Sequence, residues 1–469
     1  MSPWKVRCGP RARRWYLLRM SHVGRRAPGV HALSTLSTLR ALKKDALGFL
    51  TRLRETHGDV ARFQVGPHVT YLLARPEHVR RVLVEEAPRY TKQTRDYDML
   101  RLSLGTGMLT SEGDFWRRQR RIAQPAFHRQ QIGGFAATMG RLSHDMLTRW
   151  ADAGDTIDVA HEMMRVTLQI VSATLFSVEL DSIIDEIGSA VATLNRQTID
   201  RIISLVDLPV WVPTQRNREL HAATGYFDRL IAKQVADRRA HGPRDEQRHD
   251  LLGMLLSARD PETGEGMSDS QLRDEAVTML AAGHETTANA LAWCFHLLAQ
   301  HPEIERRAAD EAGNTLGERA ATLEDLPRLS YTKQVFQESM RLYPPVWAIG
   351  RGCADGDVID GFSIDRGADV TMSPWVTHRH PDVWPDPLRF DPDRFAEGRD
   401  IPKFAYFPFS GGARQCIGTG FAMMEAQIIL STVLSRYRLA ATPGHTVEHE
   451  ALITLRPRGG LPMRLSRAS

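Results

Sequence analysis

Between Asp59 and Leu73 apolar and polar residues alternate, with Val60, Phe63, Val65, Val69, Tyr71 and Leu73 in the apolar positions. A period of two predicts a pair of short strands turning at Gly66-Pro67. Pro76 then opens a helix expected to reach about Glu85. From residue 115 to 240 the period lengthens to that of a helix, clearest in Val159 to Phe176 and Thr224 to Arg239. Polar, turn-rich stretches at His241 to Asp250 and Arg259 to Gly266 read as surface loops bracketing a short helix. The longest apolar-periodic segment runs from Ser268, or Asp269 as N-cap, to Gln300, and His301-Pro302 closes it. At about 1.5 Å per residue it would cross a whole domain, and the nearly all-apolar run Val277 to Ala282 predicts a path through the core. Helical pattern continues through Arg341, Pro344-Pro345 breaks it, and short strands with proline-rich turns fill 346 to 410. The fold class is mainly α with a small β region, without internal repeats or low-complexity tracts.

With 469 residues the chain could hold several domains or one large enzyme core. A hydrophobic fraction of 42% and a charged fraction of 25% exclude disordered and collagen-like classes. Charge refines the picture at one place only. The net +5 comes from the first 30 residues, which hold eight basic residues and no acid. The remainder is close to neutral, which argues against a nucleic-acid binder. Residues 1–30 therefore read as a basic, flexible N-terminal arm and 31–469 as a single catalytic domain. For the arm, a lipid-surface contact, a targeting segment and a disordered tail all stay open. Its longest apolar run, Trp15 to Leu18, is far short of a membrane span, so no transmembrane segment is expected. Cys8, Cys294, Cys353 and Cys416 show no paired spacing, which fits a reducing, cytoplasmic setting without a disulfide framework or zinc cluster.

Candidate chemistry concentrates on Cys416, in the stretch Phe409-Ser-Gly-Gly-Ala-Arg-Gln-Cys-Ile-Gly418. Gly411, Gly412, Gly418 and Gly420 remove side-chain bulk, so amide groups can approach the sulfur and a flat macrocycle can lie close. The apolar run Phe421 to Leu430 predicts a helix whose positive end would lower the thiol pKa. Arg414 could aim its guanidinium at a carboxylate of the macrocycle. In the long helix, Ala281-Ala-Gly-His-Glu-Thr-Thr287 breaks helix preferences, as either a functional segment or a plain helix bend with an exposed glutamate would. Gly283 would leave room for a small ligand, and Glu285 with Thr286 suits proton delivery. His284-Glu285 begins a zinc-protease pattern, but Ala288 stands where the second histidine is needed, so zinc hydrolysis is rejected. Glu338-Ser-Met-Arg341 places an acid and a base on one helical face.

The cysteine decapeptide resembles the haem-ligand loop of the cytochrome P450 family at Phe409, Gly412, Arg414, Cys416 and Gly418. Residues 282–287 resemble that family's oxygen-binding helix segment, which implies that Glu285 and Thr286 supply protons. The resemblance further implies that Glu338 and Arg341 join Arg394, from Pro392-Asp-Arg-Phe395, in a network bracing the cysteine loop. Trp116-Arg-Arg-Gln-Arg120 is similar to the helix whose Trp and Arg meet a haem propionate, although the arginines there could equally form a plain basic face. Arg351 sits where many relatives bind the second propionate.

What the likeness implies is a cytochrome P450 fold, a long central helix over a buried haem b. The implied activity is a haem-thiolate monooxygenase that inserts one atom of dioxygen into a small lipophilic substrate, a fatty acid, terpenoid or polyketide. Electrons would come from a separate ferredoxin or flavodoxin with its reductase. Two alternatives remain open: a peroxide-driven or isomerising haem-thiolate enzyme, and a non-catalytic haem or ligand carrier. Substrate contacts are expected from Thr91 to Leu109, helices near 190 to 235, Met279 to Ala282 and Val346 to Ile349.

Overall fold

The computed structural model describes residues 24–30, 35–177, 184–204, 207–240 and 250–468. At its centre is the helix Asp269–Gln300, opened by a reciprocal cap in which Ser268 Oγ accepts the Gln271 N–H and Gln271 Oε1 accepts the Ser268 N–H. Two of the helix's orphan donors are thereby satisfied, which fixes its start. The helix packs most extensively on Val159–Phe176 and also against Gln215–Ala240 and Ser330–Leu342. Val277, Leu280, Leu291, Trp293 and Phe295 are all buried along it. Trp293 buries its indole fully because Nε1 donates to Leu455 O at 3.0 Å.

The alternating segment forms β2 (Val60–Val65) and β3 (His68–Leu73), antiparallel, with Val65 opposite His68. Gly66 makes the turn at φ +58°, a conformation that costs glycine nothing. With β4 (Tyr90–Thr91), β6 (Ile349–Cys353) and β9 (Asp369–Met372) they build a five-stranded sheet in the order β2-β3-β9-β6-β4. The helix expected from Pro76 to Glu85 is ordinary only to Arg80 and widens to a π-helix over Arg81–Glu85, where the Arg81 guanidinium holds Asp357 through bonds of 2.9 and 2.6 Å.

Residues 1–23 of the basic arm lie outside the described residues. Its remaining part joins the fold: β1 (Arg25–Arg26) pairs in parallel with Phe362–Ser363, Ala27 is buried, and the Val30 N–H donates to Arg62 O at 2.8 Å. The loop expected at 241–250 falls outside the described residues up to 249, while Leu251–Ser257 and the turn around Asp260 agree with the pattern. Periodicity missed the strand β5 (Thr156–Asp158), which is too short to show alternation and exists by pairing with the C-terminal strand Pro462–Arg467. Among the described residues no helix is long and apolar enough to cross a membrane.

Candidate active site

A cavity of about 1340 Å³ lies between the central helix and the loop before Cys416. Ligand pockets usually enclose roughly 300–1,000 Å³, so this one has room for a large flat group together with an organic guest. Trp116, Arg120, Gly283, Glu285, Thr286, Arg351, Phe409, Arg414, Cys416 and Gly418, scattered over 300 positions of sequence, all border it. Of the expected substrate segments, 92–109, 195–204, 278–283 and 346–349 contribute walls, while the helix Gln215–Ala240 supplies none among the described residues. Two walls had no sequence signal: Leu39 to Leu50 of the first long helix, and the turn Leu452 to Thr454. Apolar residues in a helix or hairpin read as core whether or not a cavity lies behind them.

The cysteine loop closes on itself where the Cys416 N–H donates to Phe409 O at 2.9 Å. Gly412 has φ +65°, and a Cβ on it would lie 2.1 Å from Leu83 O, so its smallness lets the loop sit against the backbone at Leu83. Gly418 does lie beside the sulfur, with a virtual Cβ 3.9 Å from Sγ, and it caps the helix Thr419–Leu434. The Cys416 side chain is open to the cavity but deep within the protein. Burial pushes its thiol up, against the Gly418 N–H, Arg120 and Thr419, which favour the thiolate. The expected lowering by the helix end is thus outweighed by desolvation; a metal cation is what would drive such a thiol to its anion.

Four cations gather at one rim. Arg120 Nη1 donates to Gln415 O at 3.1 Å, and Arg351 Nη1 donates to Tyr97 Oη at 3.1 Å and Gly350 O at 2.7 Å. Arg414 lies 3.6 Å from the Trp116 ring centre and pairs with Glu112 at 2.9 Å, while its Nη1 is buried without a partner among the described residues. Lys92, which the sequence reading passed over, donates Nζ to Leu109 O at 2.7 Å. Burial, aided by Arg351 and Arg414, holds Lys92 well below the ordinary lysine range, and burial brings Arg414 down to about 10. Cations crowded at an apolar chamber are costly unless an anion joins them. The rim therefore fits a bound group that carries carboxylates.

Across the chamber, Thr286 Oγ1 donates to Ala282 O at 2.8 Å. Glu285 is buried; its Oε1 accepts from Thr454 Oγ1 at 2.8 Å and its Oε2 from the Asn195 amide. Burial raises its pKa, against those two bonds and Arg456. His284 points away from the chemistry, buried, with Nδ1 bonded to Leu280 O, and burial lowers it to about 4. Gly283 borders the cavity, and its virtual Cβ would meet Val171 Cγ2 at 3.3 Å, so its smallness also serves helix packing.

Glu338, Arg341 and Arg394 stand outside the cavity. Arg341 bonds both oxygens of Glu338, at 2.7 and 2.8 Å, and reaches the carbonyls of His378, Pro387 and Arg389 at 2.7 to 3.0 Å. Arg394 approaches Glu338 at 3.4 Å, and the Asp391 N–H donates to the same carboxylate at 2.9 Å.

Residues 28–460 match the family model for cytochrome P450. The chain belongs to the cytochrome P450 family. Cyclooctat-9-en-7-ol 5-monooxygenase of Streptomyces melanosporofaciens is 36% identical over 90% of each chain. Pentalenene oxygenase of Streptomyces avermitilis is 33% identical, covering 94% of this chain and 96% of its own. Among solved structures, the haem domain of cytochrome P450DA superimposes with a TM-score of 0.86 at 26% identity, over 96% of this chain and 99% of that one. The cytochrome P450 fold, with haem as cofactor, accounts for a free sulfur facing a large chamber with a cationic rim. This protein is a haem-thiolate monooxygenase that oxidises an organic compound with dioxygen and electrons from a redox partner.

Proposed function

We propose that this cytochrome P450 hydroxylates a terpenoid, that Cys416 ligates the iron of haem b, and that Glu285 and Thr286 govern proton supply. The observation that carries the reading is that Cys416 and the Gly283–Thr286 segment border one chamber whose rim holds Arg120, Arg351, Arg414 and Lys92. Support for the substrate class comes from relatives named for terpenoid oxidation and from the Leu, Met and Ile lining.

Haem, when bound, supplies activation of dioxygen and insertion of one oxygen atom, favoured by thiolate donation. The chain's residues do the rest. Gly418 N–H and Arg120 stabilise negative charge on Cys416 Sγ. Arg414, Arg351, Arg120 and Lys92 would hold the propionates, with Trp116 stacked under Arg414 to fix its plane. Glu285 retains a proton more readily than an exposed carboxyl, because burial disfavours its anion. Thr286 Oγ1, now bonded to Ala282 O, can turn its hydroxyl into the chamber and pass a proton that Glu285 replaces. The apolar walls exclude bulk water and orient the guest.

For electrons we infer a ferredoxin or flavodoxin, docking weakly and in a salt-sensitive way against arginines such as Arg117, which the helix Gly113–Ala123 presents at the surface. The buried free thiols Cys294 and Cys353 suit a reducing cytoplasm. The test is spectral and chemical. Reduced holo-protein with carbon monoxide should show the red-shifted thiolate band, Cys416→Ser should lose it, and a terpene panel with a surrogate ferredoxin system should yield a monohydroxylated product. A histidine-type spectrum in the wild type would overturn the ligand assignment.

A further inference from the structure

Two turns before the proton-handling segment, the central helix places two polar side chains against the chamber with no partner. Glu275 is 1% exposed and neither of its carboxyl oxygens has a hydrogen-bond partner among the described residues; Thr278 is 7% exposed and its hydroxyl is equally unpartnered. The Met108 N–H favours the Glu275 anion but makes no hydrogen bond with it. Both residues border the cavity, three apart and so on the same helical face. An apolar residue at either site would avoid the cost of a buried, unsatisfied polar group. Retaining both is best explained by a partner that arrives with the substrate.

We propose that Glu275 and Thr278 form a polar anchor for a hydroxyl group already present on the substrate, so that the preferred guest is a terpenoid alcohol rather than the parent hydrocarbon. This rests on the reading of the chamber as a monooxygenase substrate site. Burial, with Asp274 adding to it, raises the Glu275 carboxyl to about 7, so near neutrality it can donate as well as accept. A neutral acid beside a threonine hydroxyl matches an alcohol, which itself both donates and accepts. A substrate ammonium would find one poorly ionised acid, and a substrate carboxylate would meet a second acid. Neither is as well matched.

Spacing sets the geometry of the guest. Glu275 and Thr278 precede Ala282 by seven and four residues, roughly 10 and 6 Å along the helix axis. The anchored oxygen and the oxidised carbon should therefore lie on opposite ends of a compact skeleton. In a reaction sequence, such an enzyme would follow a step that installs the first hydroxyl, whether water capture during cyclisation or an earlier oxygenation.

The experiment titrates holoenzyme by its ferric Soret shift with matched pairs, cedrol against cedrane and cembratrienol against cembrene. Wild type should bind the alcohol of at least one pair about tenfold more tightly than its hydrocarbon, the worth of one well-made hydrogen bond. Glu275→Leu should bring that ratio close to one, and Thr278→Val should reduce it about threefold. Equal binding of alcohol and hydrocarbon by wild type, or an alcohol preference that survives in both variants, would overturn the anchor. If Glu275→Leu takes up no haem, Thr278→Val and Glu275→Gln decide in its place, the glutamine being expected to keep part of the preference. Wild type that shows the thiolate carbon-monoxide band but no alcohol preference loses only this inference, whereas absence of the band removes the underlying reading as well.

Discussion

The guanidinium of Arg414 stacks 3.6 Å from the ring centre of Trp116. Arg414 is also tied to Glu112, and its Nη1 is buried without a partner among the described residues. A desolvated cation–π contact is worth about 2 kcal/mol, close to thirtyfold in an equilibrium constant. Trp116→Leu should therefore accelerate haem loss by roughly that factor, measured as transfer to an apo-globin, with little effect on the Soret position. Unchanged haem transfer would mean that the indole does not orient Arg414.

Lys92 separates two effects that usually travel together. In the cofactor-free chain its ammonium is buried beside Arg351 and Arg414, so Lys92→Met should raise the denaturation midpoint of apo-protein. In the holo-protein the same change should weaken haem retention about tenfold, since one charge-assisted bond to a propionate is lost. Parallel denaturation and haem-transfer measurements check both signs; a loss of stability in both forms would contradict the assignment of Lys92 to the rim.

Arg341, itself fully buried, makes five hydrogen bonds, two of them to Glu338. Arg341→Lys cannot keep this fork, and breaking a buried pair costs about 3–5 kcal/mol. The expected outcome is protein without haem, seen as a missing Soret band on purification. A stable, active holo-variant would show that the network is not what braces the loop.

Thr286→Ala should leave Soret-monitored substrate binding intact while diverting reducing equivalents to hydrogen peroxide. The ratio of peroxide to product should rise at least severalfold. An unchanged ratio would remove Thr286 Oγ1 from the proton path.

Glu275 also predicts a pH signature. Its carboxyl keeps its proton to about 7 in the folded protein, against an ordinary value of 4.5. Between those values only the folded state holds the proton, so this residue's contribution to stability falls as pH rises and is level above the window. The drop amounts to about 3 kcal/mol over the window. Asp274 is the neighbouring acid, itself paired with Arg273. Unfolding free energies of wild type and Glu275→Leu, compared from pH 4.5 to 7, should diverge in favour of the variant; parallel curves would mean that Glu275 is not held neutral.

Sequence carried the long elements and the motif residues because each has a local signature. The helix Val159–Phe176 agrees with the pattern to the residue, and the cap falls on Ser268, one of the two positions offered. What it could not carry was relational. Lys92 has no motif and becomes a rim cation only because β4 returns beside β6 in the sheet. Gly283 and Gly412 also approach Val171 and Leu83 O, contacts that sequence does not name, since a glycine announces a close approach without saying to what. At Cys416 the helix end favours the thiolate as expected, but depth of burial, which sequence does not show, outweighs it.

The turn Leu452 to Thr454 joins three parts of the machinery: Leu452 O accepts from Trp347 Nε1 at 2.8 Å, and Thr454 Oγ1 accepts from Asn289 at 3.1 Å while donating to Glu285. Reshaping this corner to admit a bulkier guest would also disturb the Glu285 carboxyl, to which we assign the proton supply. Engineers who broaden selectivity here should expect poorer fuel economy from the same substitution, whereas widening the wall formed by Leu39 to Leu50 touches none of those bonds.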